Sequence, residues 1–237
     1  MHSPQGYYDK VKDLISREDF NRILSDLDEE FDGLISRDVL EYLIVDEMGR
    51  NKSYITPISK MRPGRDYTLF GRVMDISRRR ERPSIIISDN TLSCILNLYD
   101  RNSRIIDEIS IGDRIKAVNC HSIIERDRIV LYADRWSHIE INPEDAPSIE
   151  IEPIMGRILQ RKGIKVMFDE DGDVRFSRDL LIEWKRSVCL VRVWDDRVKI
   201  VEGMREGDRI IIYDPIRFKI DGKTLIEVRG ISRIAKS

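Results

Sequence analysis

Residues 95–115 read ILNLYDRNSRIIDEISIGDRI, and residues 190–210 read LVRVWDDRVKIVEGMREGDRI. In each stretch an apolar-alternating run ends on an aromatic followed by Asp, at Tyr99-Asp100 and Trp194-Asp195, and Gly-Asp-Arg-Ile begins thirteen residues after the aromatic. The correspondence continues past the glycines: Ile139 lies 27 residues after Gly112, and Ile234 lies 27 after Gly207. Upstream, Gly71-Arg72-Val73 precedes Tyr99 by 28 residues while Gly156-Arg157-Ile158 precedes Trp194 by 38, so the second copy carries ten extra residues. The chain therefore reads as two copies of one small β domain.

In the first copy, residues 67–76 alternate loosely and 84–88 form a short run rich in β-branched Ile. Residues 92–99, 114–124 and 128–141 complete a set of five strands, with a hairpin tip at Glu125-Arg126-Asp127. Between strands three and four, residues 101–109 place Ile105, Ile106 and Ile109 on one side of a helix. Five strands with a helix between the third and fourth is the order of an OB-fold barrel. The second copy repeats that order, its extra residues falling between Arg161 and Arg178 as an added hairpin around the acidic turn at 169–173. Residues 142–148, NPEDAPS, form a short polar linker. Ahead of both copies, residues 6–49 carry apolar side chains at intervals of three and four; Ser16 and Ser36 read as caps, Gly49 as a stop and Asp32-Gly33 as an interhelical turn. The expected architecture is mainly β with a small α N-terminal unit: a helical segment at 1–55, then two tandem OB-fold barrels at 56–141 and 149–237.

Composition narrows the function. At 237 residues and 41% apolar the chain can bury real cores; no apolar run reaches membrane-spanning length, and the first residues lack a signal-peptide core. A soluble, cytoplasmic protein is expected. Cys94, Cys120 and Cys189 each sit in a β-like run and read as buried thiols, with no Cys-x-x-Cys pair for zinc. Asp28-x-Glu30-x-Asp32-Gly33 resembles the start of a calcium loop, but the twelfth position is Val39, which cannot supply the required carboxylate. His2, His121 and His138 have no partner motif, and no nucleophile elbow or phosphate-binding loop occurs. No metal, cofactor or catalysis is expected. Residues 1–56 carry 7 basic against 13 acidic side chains, whereas 57–141 carry 15 against 12, and 13 of those 15 are Arg. Arginine pairs with phosphate and stacks on bases; an Arg-rich surface also suits the ion-pair networks of heat-adapted proteins.

The chain resembles archaeal replication protein A and related single-stranded DNA-binding proteins. The resemblance rests on Leu98-Tyr99-Asp100 and Val193-Trp194-Asp195, on the Gly-Asp pairs at 112–113 and 207–208, and on the lead from Phe31-Asp32-Gly33-Leu34-Ile35-Ser36 through Glu47-Met48-Gly49 to Met61-Arg62-Pro63-Gly64. It implies that the strand-three aromatic stacks on a base. Strand parity agrees, since Asn97 and Tyr99 share the face opposite Leu96 and Leu98, as Arg192 and Trp194 oppose Val191 and Val193. The family's second ring, near the hairpin between strands four and five, has no counterpart at either tip. Either Phe218 and Tyr132 substitute from the strands or arginine stacks instead; Tyr132 and Trp136 otherwise read as core. The loop Arg78-Arg79-Arg80-Glu81-Arg82, with Arg72, Arg101, Lys116, Arg126 and Arg128, would line a phosphate track in the first copy. Lys162, Lys165, Arg175 and Arg192 would do so in the second. The expected partner is single-stranded DNA, bound with little sequence preference in replication, recombination or repair. The alternatives are RNA binding by the same barrels, and an adaptor that binds other replication or repair proteins, which the acidic helical segment favours.

Overall fold

In the computed structural model, which describes residues 6–48, 55–79, 81–135, 137–168 and 172–237, the two Gly-Asp pairs make the same turn twice. Gly112 and Gly207 take φ of 96° and 91°, a left-handed region that glycine enters without steric cost. The following aspartate then accepts a backbone N–H three residues back: Asp113 from Ser110 at 2.7 Å and Asp208 from Arg205 at 2.9 Å. The glycine N–H donates to strand one, to the Val73 carbonyl at 2.9 Å and the Ile158 carbonyl at 2.8 Å. Each turn thus fixes where strand four enters its barrel.

The first six strands are β1 (Asp66–Ser77), β2 (Ser84–Ser88), β3 (Ser93–Leu98), β4 (Arg114–Glu125), β5 (Arg128–Ala133) and β6 (His138–Ile141). They form one sheet in the order β1-β2-β3-β5-β4-β6, and an additional β1–β4 pairing closes it. β3 and β5 run parallel, and their neighbours are antiparallel. That is the OB-fold circuit. The second set is β7 (Ile154–Phe168), β8 (Val174–Trp184), β9 (Ser187–Trp194), β10 (Arg209–Tyr213), β11 (Ile216–Ile220), β12 (Lys223–Val228) and β13 (Arg233–Lys236). Their order is β11-β12-β9-β8-β7-β10-β13, so β10 and β11, the two halves of strand four, lie towards opposite ends of the sheet. The break falls at Asp214-Pro215, where Asp214 has φ 47° and proline has no N–H for the ladder. Asn119, at the same step from its glycine, has φ 54°, but β4 bends there without breaking.

Several expectations are adjusted. The last strand of each copy divides in two, β5 from β6 and β12 from β13, because the intervening loop turns the chain to the far side of strand four. The ten added residues extend β7 and β8 into one long ribbon instead of a separate hairpin. Residues 100–107 form a 3-10 helix, and the second copy has the four-residue α3 (Arg197–Ile200) in its place; helices α1 and α2 belong to the N-terminal segment.

Those two helices, α1 (Arg17–Glu30) and α2 (Arg37–Glu47), follow a short 3-10 turn at Tyr7–Lys10. Ser16 caps α1, its hydroxyl accepting from the Asp19 N–H at 3.1 Å, whereas Ser36 precedes α2 without a side-chain bond. Asp32 and Gly33 turn the chain with φ of 51° and 65°; Gly49 lies outside the described residues. The helical unit packs on the first barrel: Val118 of β4 joins the cluster of Phe20, Leu40 and Ile44. Phe31 meets the His138 ring edge-on at 5.4 Å, and the Arg101 guanidinium lies 5.6 Å from the Phe31 ring centre. Lys116, expected to face phosphate, is 3% exposed beneath this contact and is withdrawn from the site. Its ammonium is held by Asp46 of α2, by Asp145 at 3.1 Å and by Glu140 at 3.8 Å.

The barrels also pack on each other. Met74 and Ile86 of the first cluster with Ile151, Ile216 and Phe218 of the second, and the Arg217 N–H donates to Ser93 Oγ at 2.9 Å. Phe218, expected as a second stacking ring, is 2% exposed inside this contact and is likewise withdrawn. Ion pairs flank it, Arg72 with Asp214 at 3.0 Å and Arg229 with Asp75 at 3.3 Å.

Burial, with Arg101 and Lys116 nearby, pushes His138 down to about 4. An unfolded histidine protonates near 6.5, so the unfolded chain takes up this proton first and the folded state loses stability as pH falls from about 6.5 to 4. Burial raises the Glu140 carboxyl and works in the opposite direction. Urea denaturation at pH 7, 5.5 and 4 is expected to show an acid loss to which His138 contributes up to about 3 kcal/mol. His138→Gln is expected to flatten that slope.

Candidate nucleic-acid interface

On β3, Cys94, Leu96 and Leu98 enter the first barrel's core, which turns Ser93, Ile95, Asn97 and Tyr99 outward. On β5, Ile129, Leu131 and Ala133 face in, so Arg128, Val130 and Tyr132 face out. Parallel pairing puts Asn97 beside Tyr132, and the Tyr99 and Tyr132 rings stack at 5.2 Å with planes 13° apart. Tyr132 is therefore an outer-face residue and not core. Its hydroxyl donates to the Glu125 carboxylate; burial and that bond together push its pKa well above the ordinary tyrosine value.

The second barrel repeats the frame with other chemistry. Val191 and Val193 face the core, leaving Arg192 and Trp194 outward. Asp179 on β8 and Glu227 on β12 are the register partners of Arg192; Glu227 occupies the place of Tyr132, twenty residues past the repeated glycine. Asp179 is 2% exposed, and it accepts from Arg192 at 2.8 Å and from Lys165 at 2.9 Å. Burial works to raise its carboxyl, but these bonds outweigh it and hold the group below the usual range. Around the Trp194 ring stand Arg175 at 5.4 Å and Arg192 and Arg229 each at 6.0 Å, within cation–π range. Arg175 is anchored by Asp195 at 2.6 Å. The indole N–H has no hydrogen-bond partner among the described residues.

The two faces meet at one residue. Arg128, at the outer edge of β5, donates to Glu227 at 2.8 Å while its guanidinium lies 4.5 Å from the Phe218 ring centre. At about 3.3 Å per residue, Arg128 stands about 13 Å along β5 from Tyr132. Val130, between Tyr132 and Arg128, and Glu227 itself are each 1% exposed, so the stacked tyrosines and the Arg192–Trp194 face are two separate outer patches tied together by the buried Arg128–Glu227 contact.

Other expected contacts are placed less centrally. Arg72 is spent between the barrels, and Arg101 donates to the Ser137 carbonyl at 3.0 Å under the helical unit. Arg78 is 51% exposed at its side chain and donates to the Ile109 carbonyl at 3.0 Å, with Arg79 half-buried beside it; Arg80 and Trp136 lie outside the described residues. Arg126 is exposed at the β4–β5 tip and Lys162 on the β7–β8 ribbon. Sequence reasoning missed Asp179, Glu227 and Arg229 as parts of the site. Alternation along β12 carries the signal for Glu227, an isolated acid between the core-facing Ile226 and Val228, whereas Asp179 follows Arg178 and carries no such mark. Among the described residues no group of three or more His, Cys, Asp or Glu converges to hold a metal.

No protein-family model matches this chain. Over 269 aligned residues it is 24% identical to a replication factor A from Methanothermobacter thermautotrophicus, covering 96% of this chain and 34% of that protein. The likeness is to replication factor A. The chain spans about a third of the length of that relative. Solved structures resemble it at a lower level. A replication factor A related protein from Methanobacterium thermoautotrophicum gives a TM-score of 0.32 at 18% identity, covering 37% of this chain and 83% of the other. A replication protein A heterotrimer bound to single-stranded DNA gives 0.36 at 12%, covering 77% and 52%. Among the described residues no helix is long and apolar enough to cross a membrane.

Removing Asp179 would leave Arg192 and Lys165 without their shared, buried counter-ion. Asp179→Ala is expected to lower stability by about 2 kcal/mol, discounted for the exposure of both cations. Urea denaturation monitored by tryptophan fluorescence measures it.

Proposed function

We propose that this chain binds single-stranded DNA along the outer faces of both barrels, as a non-catalytic protein of replication, recombination or repair. The observation that carries the reading is the equivalent placement of Tyr99 and Trp194, each a half-buried ring at the outer end of strand three with polar or cationic neighbours. Such rings offer stacking platforms worth about 1–3 kcal/mol per base whatever the base, which suits binding with little sequence preference. Arg126, Lys162 and the Arg78–Arg82 loop supply charge for the phosphates. The resemblance to replication factor A supports the same reading. The first barrel stacks through the Tyr99–Tyr132 pair, and the second through Trp194 with its arginines. The exposed carboxylates Asp26, Asp28, Glu29 and Glu30 on α1 support contact with a basic surface on another replication or repair protein.

Titration with oligo-dT tests this directly. Trp194→Ala and Tyr99→Ala are each expected to weaken binding by about 5- to 150-fold, the equivalent of one lost stacking contact. Binding should weaken steeply as salt rises. Tight binding indifferent to both substitutions would remove the stacking mechanism, and stronger binding of a matched RNA oligomer would redirect the proposal to RNA.

A further inference from the structure

The internal repeat shows what one bare surface of the second barrel is built to receive. A groove of about 730 Å³ runs between α3, β10 and β13, its apolar floor made by Ile200, Tyr213 and Ala235, with Arg197 and Arg233 along it. Ile200 and Tyr213 are 50% and 38% exposed there. None of the arginines around Trp194 lines it.

A constant step of 95 residues relates the two barrels from Tyr99 and Trp194 onward. The structure obeys the step closely: Ser137 Oγ donates to the Asn119 carbonyl at 2.9 Å, and Ser232 Oγ donates to the Asp214 carbonyl at 2.7 Å. Asn102 reaches the Ser137 carbonyl at 3.3 Å, and Arg197 reaches the Ser232 carbonyl at 3.0 Å. Stepped back by 95, Asp196, Tyr213 and Arg233 of the groove become Arg101, Val118 and His138. Those three residues are the ones on which the first barrel seats its helical unit, through Phe31 and the apolar faces of α1 and α2. The same surface is covered in one barrel and open in the other.

We propose that this groove is a docking site for an acidic amphipathic helical segment of a partner protein, seated as the N-terminal helices are seated on the first barrel. The chemistry has shifted in keeping with a separate ligand. Across the lining Arg101, Asn102, His138 and Glu140 become Asp196, Arg197, Arg233 and Ala235, so the groove holds two arginines against one aspartate and favours a carboxylate at its Arg233 side beside an apolar or aromatic anchor. Among the described residues, a second copy of this chain has no helical unit to spare. Its α1 and α2 are already spent on their own barrel, where Asp46 is tied to the buried Lys116. The inference does not depend on DNA binding.

The probe is a fluorescein-labelled synthetic peptide of residues 16–48, titrated against the full chain by anisotropy. Tethering keeps the chain's own helices on the first barrel at high effective concentration, so the peptide is left with the second. The expected result is saturable one-to-one binding, weakened about tenfold or more by Arg233→Glu, the scale of a reversed rim charge with its repulsion. Ile200→Glu, at a second exposed position, is expected to weaken it as well, and Trp194→Ala to leave it unchanged. Absence of saturable binding, or binding that survives both groove substitutions, would overturn the proposal. So would a concentration-dependent dimer of the peptide-free chain that Arg233→Glu dissolves, because the occupant would then be a second copy.

Discussion

Phe218, closed between the two barrels under the Arg128 guanidinium, holds the molecule's two halves in register. Around it β11 of the second barrel lies across the outer face of the first, and Val130, which points outward, is left only 1% exposed. Burial of this kind is worth roughly 25 cal/mol for each Å² of apolar surface. It also spends surface: the Ser93–Ile95 end of β3 is occupied by protein, so among the described outward residues of β3 and β5 Asn97, Tyr99 and Tyr132 stay half-exposed while Arg128 is tied to Glu227. The same contact brings Arg128 to Glu227 and thereby joins what remains to the face of the second barrel. A shortened first face and a fixed alignment of the two faces are two results of one packing contact.

The two faces have diverged within a shared frame. On the first, a neutral stack of two tyrosines is oriented by Glu125, and little charge is organised around it. On the second, a single indole stands among three arginines whose positions are set by Asp179, Glu227 and Asp195. Of these, Asp179 and Glu227 are buried, and carboxylates of that kind fix cations more than they neutralise the surface and restrict the rotamers that a guanidinium must otherwise give up on meeting phosphate. The first face therefore offers aromatic surface and the second offers oriented charge.

Much of this was legible in the sequence. The repeated spacing of aromatic and Gly-Asp named both barrels because a left-handed glycine and its capping aspartate are local requirements, and strand parity put Tyr99 and Trp194 outward correctly. What parity could not reveal was which outward residues another part of the chain would cover. Lys116 looks like a surface cation until α2 brings Asp46 over it, and Phe218 looks like a second ring until β11 lies on the first barrel. One clue was present: Ser84-Ile85-Ile86-Ile87-Ser88 does not alternate, the mark of a strand covered on both faces, and Ile86 is the residue that meets the second barrel. Tyr132 reads from the sequence either as a substitute ring or as core, and the inward Ile129, Leu131 and Ala133 of β5 turn it outward.

Hydrogen–deuterium exchange with and without oligo-dT tests binding along both outer faces most directly. The account predicts that DNA slows exchange together at Leu96–Tyr99 and Leu131–Ala133 of the first barrel and at Ser177–Asp179 and Arg192–Trp194 of the second, while the β13 edge is unchanged. Protection limited to one barrel, or lying away from all four segments, would contradict it.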